Sequence, residues 1–231
     1  MEIQTNPDLA AVAALIADPS RAAMLSALLG GEALPAGELA RAARVSPQTA
    51  AAHLAKLVRG GLLVVTTQGR HRYFRLSGPP VARMLESMAL VAPAGRVRSL
   101  RHSLENRALR RARTCYDHLA GALGVAITQA LVERDWILEH VEAYEVTGPG
   151  TGWFQALGVD CDGLQQGRRK FAPRCLDWSE RRPHIAGALG AALARRMLAL
   201  GLIARLDSTR ALTVTPAGCA YLKNTLDIAW E

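Results

Sequence analysis

Aromatic residues make up only 5% of this chain, and lysine is almost missing, with 3 against 25 arginines. No apolar run approaches the ~18 residues a membrane-spanning helix requires. No basic stretch followed by an apolar core marks a secretion signal at the N-terminus. The four cysteines, Cys115, Cys161, Cys175 and Cys219, are too few and too scattered for a disulfide framework, and they read as thiols of a reducing cytoplasm. Four catalytic signatures are absent: a G-x-S-x-G elbow, a phosphate loop, a dinucleotide fingerprint and an H-E-x-x-H pair. These absences argue against a membrane protein, a secreted scaffold and the common enzyme classes.

What remains is 231 residues, half of them apolar, enough for one large domain or two small ones. The net charge of +8 is unevenly placed. Residues 1–113 hold 16 Lys+Arg against 7 Asp+Glu, whereas residues 114–231 hold 12 against 13. The excess therefore lies in the first half, and a polyanion bound there explains it most simply. The preference for arginine fits phosphate recognition, but a general Ala-, Arg- and Gly-rich bias accounts for it equally well.

The stretch Glu38 to Leu76 carries the clearest pattern. It reads as a short helix, a turn, a second helix and two strands joined by a basic tip, which is a winged helix-turn-helix. Ser46 caps the second helix and Pro47 occupies its first position, where the missing N–H costs nothing. Leu54, Leu57 and Val58 line the inward side, with Ala50 and Ala51 a turn earlier. Gln48, Thr49, Ala52, His53 and Lys56 are left to face outward. Gly60-Gly61 ends the helix, Leu62 to Val65 forms a strand, and Gln68-Gly69 makes a tight hairpin turn with Arg70, His71 and Arg72 at its tip. For DNA, Gln48 and His53 suit base edges, Thr49 a thymine methyl, Ser46 and Lys56 phosphates, and Arg70 and Arg72 the backbone or minor groove. Taken singly, each feature is common in helical proteins; their order and completeness carry the reading.

Upstream, Leu9 to Ala17 reads as an apolar helix. Asp18-Pro19 caps another, running to Leu29 with Ala22, Leu25, Leu28 and Leu29 inward, and Leu34-Pro35 opens the next. Downstream, Val81 to Val91 repeats apolar residues at Met84, Leu85, Met88 and Val91. The sequence Asp-Pro-Ser-Arg, Glu-Leu-Ala, Ser-Pro-Gln-Thr, Gly-Leu-Leu and Gly-Arg-His-Arg-Tyr-Phe-Arg-Leu resembles the ArsR/SmtB family of bacterial repressors over roughly residues 8–92. The resemblance implies a homodimer whose first and fifth helices, here Leu9–Ala17 and Val81–Val91, form the interface. Two recognition helices would then enter successive major grooves of a palindromic operator. The family's usual metal ligands, a Cys-x-Cys before the turn or an Asp/His set on the last helix, have no counterpart here, so its usual effectors do not carry over.

Arg96 to Arg113 holds seven arginines in 18 residues. It reads as a solvated connecting helix, or alternatively as a helix touching phosphates beside the wing. Beyond it, His118-Leu119-Ala120-Gly121-Ala122-Leu123-Gly124 recurs as His184-Ile185-Ala186-Gly187-Ala188-Leu189-Gly190. Val146-Thr147 with Gly150 recurs as Val214-Thr215 with Gly218. Each copy reads as helix, extended segment, glycine turn and short helix. The expected architecture is mainly α with small β-hairpin wings (α+β), in three parts: residues 1–92, an arginine-rich connecting helix 93–113, and a duplicated regulatory domain 114–231 with repeats at about 114–160 and 175–228.

Four functions suit the second half. Cys115 and His118, spaced as on one face of a helix start, could join Cys175 and His184 in a tetrahedral metal site. Cys115 or Cys175, beside Arg113, Arg174, Arg181 and Arg182, could act as a redox thiol. An organic or oxyanion effector could lie near Trp178, Asp177 and Arg181. The plainest alternative is a domain that only stiffens the dimer. Two readings from other classes remain: a protein-binding scaffold, and an enzyme built on Cys175, Asp177, Glu180 and His184.

Overall fold

The computed structural model describes residues 6–93, 100–207 and 209–230. They form two compact units that divide after Leu85. No single helix among them is long and apolar enough to cross a membrane, although α1 (Leu9–Ile16) and the segment Pro19–Gly30, bent by 88°, together carry that apolarity.

In the first unit, Asp8 caps α1 through the Ala11 amide, and Asp18 caps α2 (Pro19–Ala27) through the amides of Ser20 and Arg21. The Arg21 guanidinium turns back to the carbonyls of Leu15 and Ala14, closing the open end of α1. Met24 and Leu25 put α2 in the core, and Leu28–Gly30 tighten into a 3₁₀ turn. Leu34 and Pro35 do not open a helix as expected. They form β1, an edge strand on β3 (His71–Leu76), with Leu34 opposite Phe74. Proline disfavours helical backbone at the residue before it and is tolerated at a sheet edge, where its missing N–H breaks no ladder. The helix α3 starts at Ala36 and runs to Ala43, burying Leu39 and Ala40.

Recognition-helix candidate α4 spans Pro47–Arg59 and buries Ala50, Leu54 and Leu57 against α3 and α2; Ala51, expected inside, is exposed. The wing is β2 (Leu63–Gln68) and β3, and the sheet order is β1-β3-β2. Gln68 pairs with His71, so the two-residue turn is Gly69-Arg70 and not Gln68-Gly69. The register is one residue later because Gly69, at φ +57°, takes the first central position of the primed turn. The helix α5 (Pro79–Val91) runs across the division between the units.

In the second unit, α6 covers Leu100–Arg111; residues 96–99 of the expected arginine-rich helix lie outside the described residues. Arg113 is not on that helix: it begins a strand and is fully buried. From there one order of elements occurs twice. The first run is hairpin β4 (Arg113–Cys115) and β5 (His118–Ala120), α7 (Gly121–Glu133), hairpin β6 (Ile137–Glu139) and β7 (Tyr144–Val146), then α8 (Gly148–Ala156). After the short α9 (Cys161–Gln165) come β8 (Arg174–Leu176), β9 (Pro183–Ile185), α10 (Gly187–Ala199), β10 (Ile203–Arg205), β11 (Leu212–Val214) and α11 (Pro216–Leu226).

The packing is reciprocal, with α7 against β9, α10 against β5, and β5 beside β9. The shared sequence blocks explain the shared geometry. Thr147 and Thr215 cap α8 and α11 through the amides of Gly150 and Gly218. A Cβ at either glycine would fall 1.9 Å from a carbonyl oxygen, that of Trp136 or of Leu202, so neither position admits a side chain. His118 is not at a helix start. Gly121 and Gly187, at φ +73° and +72°, stop each long helix from extending back, so the His-x-Ala segments before them are strands.

Candidate nucleic-acid interface and cysteine–histidine cluster

The outer side of α4 presents Gln48, Thr49, Ala52 and Lys56, all exposed. Ser46 is spent on the cap: its hydroxyl accepts the Thr49 amide at 3.1 Å and lies 2.9 Å from the Thr49 hydroxyl. Replacing Ser46 by alanine is expected to cost about 1 kcal/mol, read as faster hydrogen exchange at the Thr49 amide. His53, expected on a base edge, is half-buried. Its Nδ1 lies 3.8 Å from an Asp18 carboxylate oxygen and has no hydrogen-bond partner among the described residues, so the ring faces the start of α2. Arg70, His71 and Arg72 are exposed on the wing, where Arg72 lies 5.6 Å over the Phe74 ring. Exposed Arg41 and Arg44, at the end of α3 and in the turn before α4, add cations that sequence reasoning did not single out. The signal was available: both lie within five residues of the Ser46 cap.

The second site lies inside the second unit. Cys115 stands opposite His118 across the β4–β5 hairpin, and Cys175 opposite His184 across β8–β9. The unequal spacings in the sequence thus become the same cross-strand pair, closed by loops of different length. The two sulfurs are 3.9 Å apart, the imidazole centroids are 5.1 Å apart, and one ligating atom from each of the four residues falls within 4.8 Å of the others. Cys115, His118 and His184 are buried, and Cys175 is half-buried. Among the described residues, Nε2 of His118 and both ring nitrogens of His184 have no hydrogen-bond partner. Each Nδ1 has a carboxylate just beyond or at the limit of bonding: Asp117 at 3.5 Å from His118 and Asp177 at 3.6 Å from His184.

The expected arginine activation of a thiol is not what the structure shows. Arg113 is held by Asp177, Arg174 by Glu139 and the carbonyls of His140 and Val141, and Arg181 and Arg182 are exposed. The adjacent Cys175 thiol, with burial, pushes Cys115 up to about 12, a protonated and weakly nucleophilic group. For His118, burial works against the imidazolium, whereas Cys115 and Asp117 work for it, and the balance is upward. Of those two, the carboxylate carries the charge when the thiol is protonated. Burial opposes ionisation of Asp117 too, but His118 and a two-pronged Arg169 clamp at 2.6 and 2.9 Å bring it down to about 2.

The other candidates for an effector site do not converge. Asp177 is saturated, accepting from Arg113 and the Gly121 amide on one oxygen and from Ser179 and Glu180 on the other. Trp178 is covered by Arg113 and Arg110, at 4.5 and 5.5 Å from its ring. Arg181 sits exposed in the hairpin loop. Asp177, Trp178 and Arg181 thus form no open anion pocket.

A helix-turn-helix domain family matches residues 16–66. The HTH-type transcriptional regulator YdfF of Bacillus subtilis is 44% identical over 223 residues, covering 96% of this chain and 99% of its own length. The chain belongs to the HTH-type transcriptional regulators, a DNA-binding class and not an enzyme class. Among solved structures, the homodimeric winged helix-turn-helix DNA-binding domain from Mycobacterium bovis is 28% identical, covering 39% of this chain and 89% of its own, with a TM-score of 0.34. The cadmium metal-sensor CMTR from Mycobacterium tuberculosis is 31% identical, covering 39% and 94%, with a TM-score of 0.33.

Proposed function

We propose that this chain is a sequence-specific transcriptional repressor of the ArsR/SmtB type, working as a homodimer on a palindromic operator in the bacterial cytoplasm. The observation that carries this reading is the pairing of a capped helix exposing Gln48, Thr49 and Lys56 with a wing exposing Arg70, His71 and Arg72. Gln48 reads a base edge, Thr49 a thymine methyl, and Lys56 and the wing arginines the backbone. His53, half-buried with its ring facing the start of α2, is left out of the base contacts. Homodimerisation is supported by the apolar surface of the first and fifth helices. Of α1 only Ile16 is buried, Leu9 is 78% exposed, and on α5 Met88 and Val91 are exposed. The second unit sets DNA affinity by responding to an effector.

Titrating the full chain with an operator-length duplex at two salt concentrations tests the reading. Affinity is expected to fall with salt, with a log–log slope near −0.9 per phosphate contacted, and the Arg70→Ala, Arg72→Ala double variant to flatten that slope by about 2. Absence of binding, or binding without a salt slope, would sink the repressor reading and leave a protein-binding scaffold.

A further inference from the structure

We propose that Cys115, His118, Cys175 and His184 bind one divalent cation of the zinc class in a closed tetrahedral site that clasps the two halves of the second unit together. This goes beyond the DNA-binding reading and stands without it.

Donor chemistry selects the ion. Two sulfurs and two imidazole nitrogens suit zinc, cadmium or cobalt(II), and offer magnesium or calcium nothing, since those ions require oxygen. Geometry agrees: metal–sulfur bonds of about 2.3 Å at a tetrahedral angle place two sulfurs about 3.8 Å apart, and here they are 3.9 Å apart. A disulfide would require about 2.05 Å. The ring nitrogens point independently to a ligand. Buried polar atoms are nearly always satisfied, yet three of the four ring nitrogens here have no hydrogen-bond partner among the described residues. Asp117 stands 3.5 Å from Nδ1 of His118, leaving Nε2 of that ring to ligate with a carboxylate behind it to fix the tautomer, while His184, with neither nitrogen hydrogen-bonded among the described residues, has both available.

Charge balances as well. Binding releases to solvent the two thiol protons and the extra proton of any charged imidazole, and M²⁺ with two thiolates and two neutral imidazoles is neutral, as a site with three buried ligands requires. Half-buried Cys175 marks the side from which an ion enters. Four protein ligands leave no open coordination position, so the site holds its ion without performing chemistry on it.

The test uses the full chain purified under reducing conditions. Elemental analysis and cobalt(II) titration are expected to give one ion per chain, with the intense visible and thiolate charge-transfer bands of tetrahedral coordination. Cys175→Ser, at the half-buried ligand, and His184→Gln are expected to lose these bands. Cys219→Ser, outside the cluster, is expected to keep them. Circular dichroism of each variant separates loss of a ligand from loss of fold, and a folded Cys175→Ser or His184→Gln protein that keeps stoichiometric cobalt with the same bands overturns the proposal. So does a reduced wild-type chain that takes up no cobalt, or a freshly isolated chain whose mass and peptide map show a Cys115–Cys175 disulfide that prevents binding. Because no DNA enters the assay, failure of the operator titration leaves the site standing, and failure of the site leaves the operator titration standing.

Discussion

Asp177→Asn is expected to destabilise the second unit by about 3–5 kcal/mol, the usual cost of leaving a buried charge without its partner. The partner is Arg113, which is fully buried. Its Nη2 donates to Asp177 at 2.8 Å, its Nη1 to the Leu109 carbonyl and the Ser179 hydroxyl, and its face lies over Trp178. Asparagine keeps the volume but removes the charge, and its amide group turns a donor toward other donors on at least one side. Asp177 also accepts the Gly121 amide, at the residue that starts α7, so the loss reaches the core helix.

The pH dependence carries the sign. Burial pushes the Asp177 carboxyl up, but Arg113 and the surrounding donors overcome it and hold the group well below the ordinary carboxylate range. A group depressed on folding stabilises fully above its unfolded value of about 3.9 and loses that contribution as pH falls below it. Denaturant unfolding of the second unit at pH 7 and again below pH 4 should therefore show a wild-type advantage over Asp177→Asn that shrinks in acid. An advantage of under 1 kcal/mol at pH 7 would mean that the pair contributes little.

Asp177 also shows why parts of the structure were illegible in the sequence. Its partners lie 56 and 64 residues upstream, at Gly121 and Arg113, and no local pattern links them. The winged helix was readable because its determinants are local: a cap three residues from the amide it serves, a helix-ending glycine pair, a glycine in a two-residue turn. Errors there were of one residue or one face, as at Gly69-Arg70 and Ala51, or of a two-residue segment, as at Leu34-Pro35, which pairs with β3 and does not open α3. The Cys/His residues were singled out together, but with the wrong elements beneath them. Strands of three residues are too short to show alternation. The recurring Gly-Ala-Leu-Gly block drew His118 into a helix that in fact starts at Gly121. Cys-x-x-His and Cys-x8-His match no standard ligand spacing, and only the hairpins put each pair in the same cross-strand register.

Removing the metal is expected to change operator affinity about 5- to 150-fold, the range that a coupling of about 1–3 kcal/mol between sites produces. A set of contacts within the second unit leads from the cluster to α5. Cys115 lies on β4 next to Thr114, whose amide donates to the Arg210 carbonyl and whose carbonyl accepts from the Arg210 guanidinium. The same guanidinium pairs with the largely buried Glu86 on α5. In the homodimer proposed above, α5 is an interface helix, so a small change in its position alters the distance between two recognition helices that must meet successive grooves about 34 Å apart. Fluorescence anisotropy with a labelled operator, on chelated and zinc-loaded protein at one salt concentration, reads the shift. Glu86→Gln separates the steps, since glutamine still accepts a hydrogen bond from Arg210 but lacks the charge that ties α5 to β4. That variant should bind cobalt with unchanged bands while its chelated and loaded forms converge in DNA affinity. A Glu86→Gln protein that retains the full metal-dependent shift would place the coupling on another route.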